Sequence, residues 1–165
     1  MIKEFQMKTN TKTNALRLAE TAGLFFTAYE YDISDGRIDA VSIAEKIGRP
    51  ADGVFKTLVT QAPGREYFVF IVPAASELDL KKAAKVSGKK SIELIPMKEL
   101  LPLTGYVHGG CSPLGMKKLV PAFIDETAVL FDTICVSGGR VGLNIAVDPE
   151  ALASVINAKF ADITR

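Results

Sequence analysis

Four groups of residues in this chain have types and spacings that could do chemistry. The first is Lys56, set in the apolar run Val54-Phe55-Lys56-Thr57-Leu58. A strand period of two puts Val54, Lys56 and Leu58 on one face and Phe55, Thr57 and Val59 on the other. An ammonium on an apolar face is costly to bury without a partner. It either snorkels to the sheet edge, the commoner outcome, or holds a polar group. The second is the loop Gly109-Gly110-Cys111-Ser112-Pro113-Leu114-Gly115. Glycines let backbone approach a ligand closely, and successive N–H groups can cradle an anion. A plain connecting loop is the equal alternative. The spacing matches neither a Walker loop nor a GxGxxG fingerprint. The third is Ser137-Gly138-Gly139-Arg140, which by itself reads as a hairpin turn. The fourth is a basic set. Lys81, Lys82 and Lys85 share a helix face, Lys89 and Lys90 follow, and Lys117 and Lys118 lie beyond the glycine-rich loop. Such a set is ordinarily a solvated face, but it is also a candidate stripe for a phosphate backbone.

Other chemistries are poorly supplied. His108 is the one histidine, so a histidine-rich metal site is excluded and a Ser-His-Asp triad would have to use His108. No clustered carboxylate or thiolate set stands out, and no metal is expected. Cys111 and Cys135 have neither zinc spacing nor a disulfide framework. If residues 104–108 run as a strand into the loop, His108 and Cys111 point to opposite faces, which argues against a Cys–His pair. Cys135, between Ile134 and Val136, reads as a buried structural thiol. Twenty Lys and Arg against nineteen Asp and Glu leave a net charge of +1, so any attraction to nucleic acid must be local. No apolar run reaches the roughly 20 residues of a membrane span, and the N-terminus lacks the apolar stretch of a signal peptide. A reduced, cytoplasmic protein away from membranes is expected.

The elements that must position these residues follow from pattern. At 165 residues and 48 % hydrophobic, the chain suits one domain with its own core. Residues 1–13 are expected to be a flexible N-terminus, with Met7 as an alternative start, and residues 14–165 the folded domain. Helices are expected over 14–22, with Ala15, Leu16, Ala19 and Ala22 inward, and over 41–47, 80–86, 96–103 and 149–156. Asp79 and Asp148 serve as caps, and Gly23, Gly48 and Gly88 as stops. Strands are expected over 25–31, 54–60, 67–72, 91–94, 104–108, 120–124, 134–137 and 141–147. A hairpin turns at 61–65 and a tight turn at 137–140. Strands and short helices mix without a strict βαβ rhythm. The fold class is therefore α+β: a single domain with a mixed, mainly antiparallel sheet or partial barrel and flanking short helices.

The four groups, in this order, resemble one family. Val54-Phe-Lys-Thr-Leu58, Leu78-Asp-Leu-Lys-Lys-Ala-Ala84, Thr104 to Lys118, Val136-Ser-Gly-Gly-Arg-Val-Gly-Leu143 and Ala158-Lys-Phe-Ala-Asp162 look like the YbaK-type Cys-tRNA(Pro) deacylases. These are free-standing relatives of the editing domain of bacterial prolyl-tRNA synthetase. The resemblance runs from about Ala15 to Ile163. It implies a trans-editing hydrolase that deacylates Cys-tRNA(Pro), with Cys-tRNA(Cys) as a further substrate, and that uses no cofactor and no metal. In the implied chemistry the thiol of the substrate attacks its own ester, and the protein supplies position and electrostatics.

By the same resemblance Lys56 is the essential lysine, contacting the terminal adenosine and holding the ester. Gly109, Gly110, Cys111, Ser112 and Pro113 line the aminoacyl pocket, Tyr29 is a pocket tyrosine, and Ser137, Gly138 and Gly139 form a second glycine loop beside it. Ile38 falls near a pocket aromatic of the family. Lys81, Lys82, Lys85, Lys117 and Lys118 are the candidate tRNA contacts. The implied partners are the acceptor end of aminoacyl-tRNA and prolyl-tRNA synthetase. Three positions depart from the pattern. Cys111 and His108 replace aliphatic residues, and Asn144 replaces an aspartate, keeping hydrogen-bonding capacity without charge. The alternatives are a deacylase for another small amino acid such as alanine, a non-catalytic tRNA- or synthetase-binding module, and a hydrolase using Cys111 as nucleophile.

Overall fold

Residues 2–5 and 12–165 are described by a computed structural model of the chain. The described strands form two sheets. One contains β1 (Ile2–Phe5), β2 (Phe26–Tyr31), β7 (Ile134–Ser137) and β8 (Leu143–Val147) in the order β1-β2-β8-β7, antiparallel throughout. The other contains β3 (Phe55–Ala62), β4 (Glu66–Pro73), β5 (Glu93–Leu94), β6 (Ala122–Asp125) and β9 (Lys159–Ala161) in the order β5-β3-β4-β6-β9. Its β3–β4 and β3–β5 pairings are antiparallel, whereas β4–β6 and β6–β9 are parallel. Among the described residues a single parallel bridge, from Val54 just before β3 to Cys135 of β7, joins the sheets. The result is an α+β fold of antiparallel and mixed sheets that do not close into a barrel, in the class that the pattern of elements predicts.

Among the described residues five short helices flank the sheets: α1 (Asn14–Thr21), α2 (Ala40–Ile47), α3 (Leu80–Ser87), α4 (Leu100–Thr104) and α5 (Pro149–Ile156). Their ends follow from side-chain chemistry. Asp39, Asp79 and Asp148 each accept from backbone N–H groups of the first turn, a cap worth about 1 kcal/mol. The main core lies between the sheets. Leu16 of α1 and Leu152 of α5 meet Ile71 and Ile124 of one sheet and Ile134 and Ile145 of the other. A second cluster packs α3 on the outer face of the five-stranded sheet, with Phe70 stacked on Phe123 at 5.4 Å. A third lies under α2 and holds Tyr29, Ile43, Val54 and Cys135.

Several expectations are corrected. No strand forms over 104–108. Thr104 ends α4, Gly105 turns left-handed at φ 84°, and 108–109 is a turn. The Thr104 hydroxyl takes the Tyr106 N–H at 3.0 Å, which breaks the extended alternation. The 96–103 helix is instead a single 3-10 turn, Met97–Glu99, followed by α4. The tight turn at 137–140 is a longer connection, because Ser137 pairs with Asn144 and the chain loops between them. Ala22 is exposed, since the helix ends at Thr21. Ile2–Phe5 pairs with β2, and Lys12 is ion-paired with Glu20. Met7 and the rest of 6–11 lie outside the described residues.

Candidate active site

The site forms where the two sheets part. β3 and β7 run parallel at the Val54–Cys135 bridge, and neither is joined to the other beyond it by further strand pairing among the described residues. In parallel register Lys56 is level with Ser137, two residues on from the bridge in each strand. Ser137 is paired with Asn144 on β8, which is paired in turn with Tyr29 on β2. Directly opposed residues share a face, so Ser137, Asn144 and Tyr29 form one cross-strand row. The gap between the strands is a cavity of about 380 Å³ bordered by Lys56, Gly109, Cys111, Ser137 and Asn144. That volume lies in the range of small-ligand sites.

The remaining glycine and tyrosine positions stand behind this wall. Tyr29 is buried with Ile43 and Ala74, which do border the cavity. A Cβ on Gly110 would sit 2.9 Å from the Val141 nitrogen, so the two glycine loops meet backbone to backbone. A Cβ on Gly139 would meet Thr13 at 2.9 Å, and one on Gly109 would meet Ile38 Cδ1 at 2.8 Å. The glycines thus permit close packing of the loops around the cavity. Their amides are partly engaged: Gly110 N–H donates to the Val107 carbonyl and Gly139 N–H to Ser137 Oγ. Ser112 is fully buried and its Oγ accepts the Leu114 N–H. Pro113 borders a separate, largely apolar cleft of about 580 Å³, together with Lys118.

Lys56 is half-buried and touches no carboxylate among the described residues; its Nζ makes one long contact, 3.4 Å, to the Ala74 carbonyl. Burial pushes its pKa below the ordinary lysine value, and the Glu77 carboxylate pulls weakly the other way. Two buried side-chain polar atoms lack a partner among the described residues, Thr57 Oγ1 and Asn144 Oδ1, and both residues border this cavity. Most buried polar atoms find partners, so these two oxygens are hydrogen-bonding capacity that the chain itself leaves unused at the cavity wall.

The thiol is not primed as a nucleophile. Burial pushes Cys111 up to about 12, despite a hydrogen bond with Thr104. Cys135 is pushed up to about 11 and lies fully buried. Because 108–109 is a turn, His108 does not point away as a strand requires: it and Cys111 both border the cavity. Among the described residues no three His, Cys, Asp or Glu side chains converge on a point that could hold a metal ion.

The sequence reading placed Ile38 near the pocket, and the structure puts it at the cavity wall; it missed Asp39 and Val41, at the start of α2, which close the same side, and it missed Thr57. Alternation assigns Thr57 to the face opposite Lys56, but the cavity opens on the strand's edge and reaches both faces. On α3, Lys81 and Lys85 are exposed, whereas Lys82 is paired with Asp162 at 3.0 Å. Lys118 Nζ lies 5.2 Å from the Tyr67 ring centroid, and Lys117 is exposed.

Comparison with known proteins adds to this geometry. Residues 38–155 match the family described as the aminoacyl-tRNA editing domain. A protein of Enterococcus faecalis that bears the name of a Cys-tRNA(Pro)/Cys-tRNA(Cys) deacylase, EbsC, is 43 % identical over 157 residues, covering 95 % of this chain and 96 % of that one. A solved structure described as a trans-editing enzyme for prolyl-tRNA synthetase superposes with a TM-score of 0.81 at 25 % identity, covering 97 % of this chain and 99 % of that one. A hypothetical protein of known structure shares the fold, with a TM-score of 0.84 at 19 % identity over 92 % of this chain and 99 % of that one.

Proposed function

This chain belongs to the aminoacyl-tRNA editing domain family, and from that premise we propose that it hydrolyses the ester of mischarged Cys-tRNA(Pro), and of Cys-tRNA(Cys), acting in trans to a synthetase. The observation that carries this reading is Lys56. An ammonium without a carboxylate partner among the described residues borders a small cavity whose one thiol is held protonated by burial. Such a site suits a reaction in which the protein positions and the substrate attacks. The cysteinyl thiol adds to its own ester carbonyl, the ribose oxygen leaves and takes up the thiol proton, and the resulting cyclic thiolactone opens in water. Lys56 holds the terminal adenosine and ester in reach of the thiol. The glycine loops shape the aminoacyl wall, with Ser112 buried in the first loop and Tyr29 packed under α2 beside Ile43 and Ala74. A synthetase pocket discriminates poorly between side chains as close in size as those of proline and cysteine, so a second sieve is needed.

The acceptor end of the tRNA lies along the exposed Lys81, Lys85, Lys117 and Lys118 in this reading, and prolyl-tRNA synthetase supplies the choice of tRNA. The protein works in the cytoplasm, where the translation machinery is. Among the described residues no helix is long and apolar enough to cross a membrane.

Purified protein incubated with Cys-tRNA(Pro), Ala-tRNA(Pro) and Pro-tRNA(Pro) tests the reading directly. The first ester is expected to disappear fastest and the last to survive. Faster loss of Ala-tRNA(Pro) replaces cysteine by alanine as the substrate, and survival of all three esters ends the assignment.

A further inference from the structure

The edge of β3 that faces the cavity carries unused backbone. Between the Val54–Cys135 bridge and the Thr60–Leu94 pair, β3 has no strand partner on this side among the described residues. Strand geometry decides which groups face outward. The Val54 carbonyl accepts the Ala74 N–H on the β4 side, and the Val59 carbonyl accepts the Ile95 N–H on the outer side. Successive residues alternate, so odd-numbered residues of β3 direct both N–H and C=O outward. Thr57 is at the centre of the open stretch. It also bears one of the two orphan buried atoms, Oγ1, and Asn144 Oδ1 is the other. The Thr57 N–H as donor, the Thr57 carbonyl and Asn144 Oδ1 as acceptors, and the Thr57 hydroxyl, which can do either, therefore border one small space, and leaving such groups unsatisfied costs free energy.

An aminoacyl ester has the complementary set. It carries an α-amino group with hydrogens to donate, one bond from a carbon that bears a carbonyl acceptor. This is the pattern of a single strand residue, and free sheet edges recognise strand residues by main-chain hydrogen bonds. We infer that the aminoacyl group binds as a one-residue antiparallel strand on the open edge of β3. Its ester carbonyl accepts from the Thr57 N–H, and its α-amino group donates to the Thr57 carbonyl, Thr57 Oγ1 and Asn144 Oδ1. The inference rests on the proposed deacylase function and assigns its specificity. A thiol alone does not make a substrate; a free α-amino group is read as well. Esters whose nitrogen is acylated, as in a nascent peptidyl-tRNA, lose donors, gain bulk and are refused.

The experiment uses three esters on the same tRNA, all with the thiol: cysteinyl, N-acetylcysteinyl and 3-mercaptopropionyl, in which hydrogen replaces the amino group. Each enzymatic rate is divided by the rate without protein, which removes the differing reactivity of the esters. The wild type is expected to show kcat/KM at least about a hundredfold lower for the last two, because the site's buried polar groups are left unpaired. Thr57→Val is expected to lower the cysteinyl rate about tenfold and to leave the 3-mercaptopropionyl rate unchanged, while Thr57→Ser keeps the cysteinyl rate. Cleavage of the 3-mercaptopropionyl ester as fast as the cysteinyl ester overturns the inference. So does an equal loss on both esters in Thr57→Val, which marks a merely structural role. A wild type inactive on the cysteinyl ester fails the deacylase reading itself, and the first arm shows that separately.

Discussion

Lys56 and the lysines of α3 carry the same charge in opposite settings. Lys82 reaches Asp162 at 3.0 Å and the Thr164 carbonyl at 2.7 Å, and that carboxylate holds its pKa above the usual lysine value. Lys81 and Lys85 lie in water. Lys56 is half-buried with one long carbonyl contact, and burial holds its pKa down. A surface ion pair relaxes the cost of its own charges and contributes little to stability. A cation placed against an apolar wall without a carboxylate costs stability, and folds tolerate such costs where function needs them. The environment of the lysine, not its presence, separates the site from the surface.

The largest effect that breaks this comparison is expected at Lys56 itself. Lys56→Ala and Lys56→Met should each lower deacylation by at least about a hundredfold while circular dichroism stays native. Lys56→Met should also melt higher than wild type near neutral pH. The sign follows from linkage. The folded state binds the Lys56 proton less tightly than the unfolded chain, so its cost is present below the folded pKa and disappears as pH rises towards the unfolded value. The melting advantage of the variant should therefore shrink in alkaline buffer. A folded Lys56→Ala with the wild-type rate removes the lysine from the site.

Asn144 sharpens the same contrast without charge. Asn144→Leu removes an orphan amide oxygen from a residue only 3 % exposed. It should reduce kcat/KM on Cys-tRNA(Pro) roughly tenfold and raise thermal stability by up to about 1 kcal/mol. Lower stability together with unchanged activity would return Asn144 to an ordinary core role.

Charge reversal at the exposed lysines tests the other side of the comparison. Lys81→Glu with Lys85→Glu should raise KM a few-fold, leave kcat near wild type and flatten the dependence of KM on salt. A lost kcat at constant KM contradicts a phosphate-contact role. The smallest effect is expected at Cys111. Its thiol stays protonated at neutral pH, so Cys111→Ala and Cys111→Val should retain most activity. Recovery of a cysteinyl group covalently attached to Cys111, or a large loss in both variants, promotes that thiol to nucleophile.

Local chemistry made much of the fold readable in advance. The caps at Asp79 and Asp148, the glycine stops and the 61–65 hairpin are set by interactions a few residues long. The sequence also singled out Lys56, Gly109, Cys111, Ser137 and Asn144, which the fold brings to one cavity. The strand expected at 104–108 failed because the Thr104 side chain competes locally for backbone bonds, which periodicity does not register.

What the sequence determined by itself, then, was the class of fold, the lysine out of place on an apolar strand, and the family signature around it. Only the tertiary structure decided that β3 and β7 touch at Val54 and Cys135 and then part. That parting opens a strand edge instead of a strand face, so Thr57 joins Lys56 despite opposite alternation, and Asn144 reaches them from β8. Edge exposure depends on which strand is absent from a sheet, and pairing across about 80 positions of chain leaves no local trace in residue pattern.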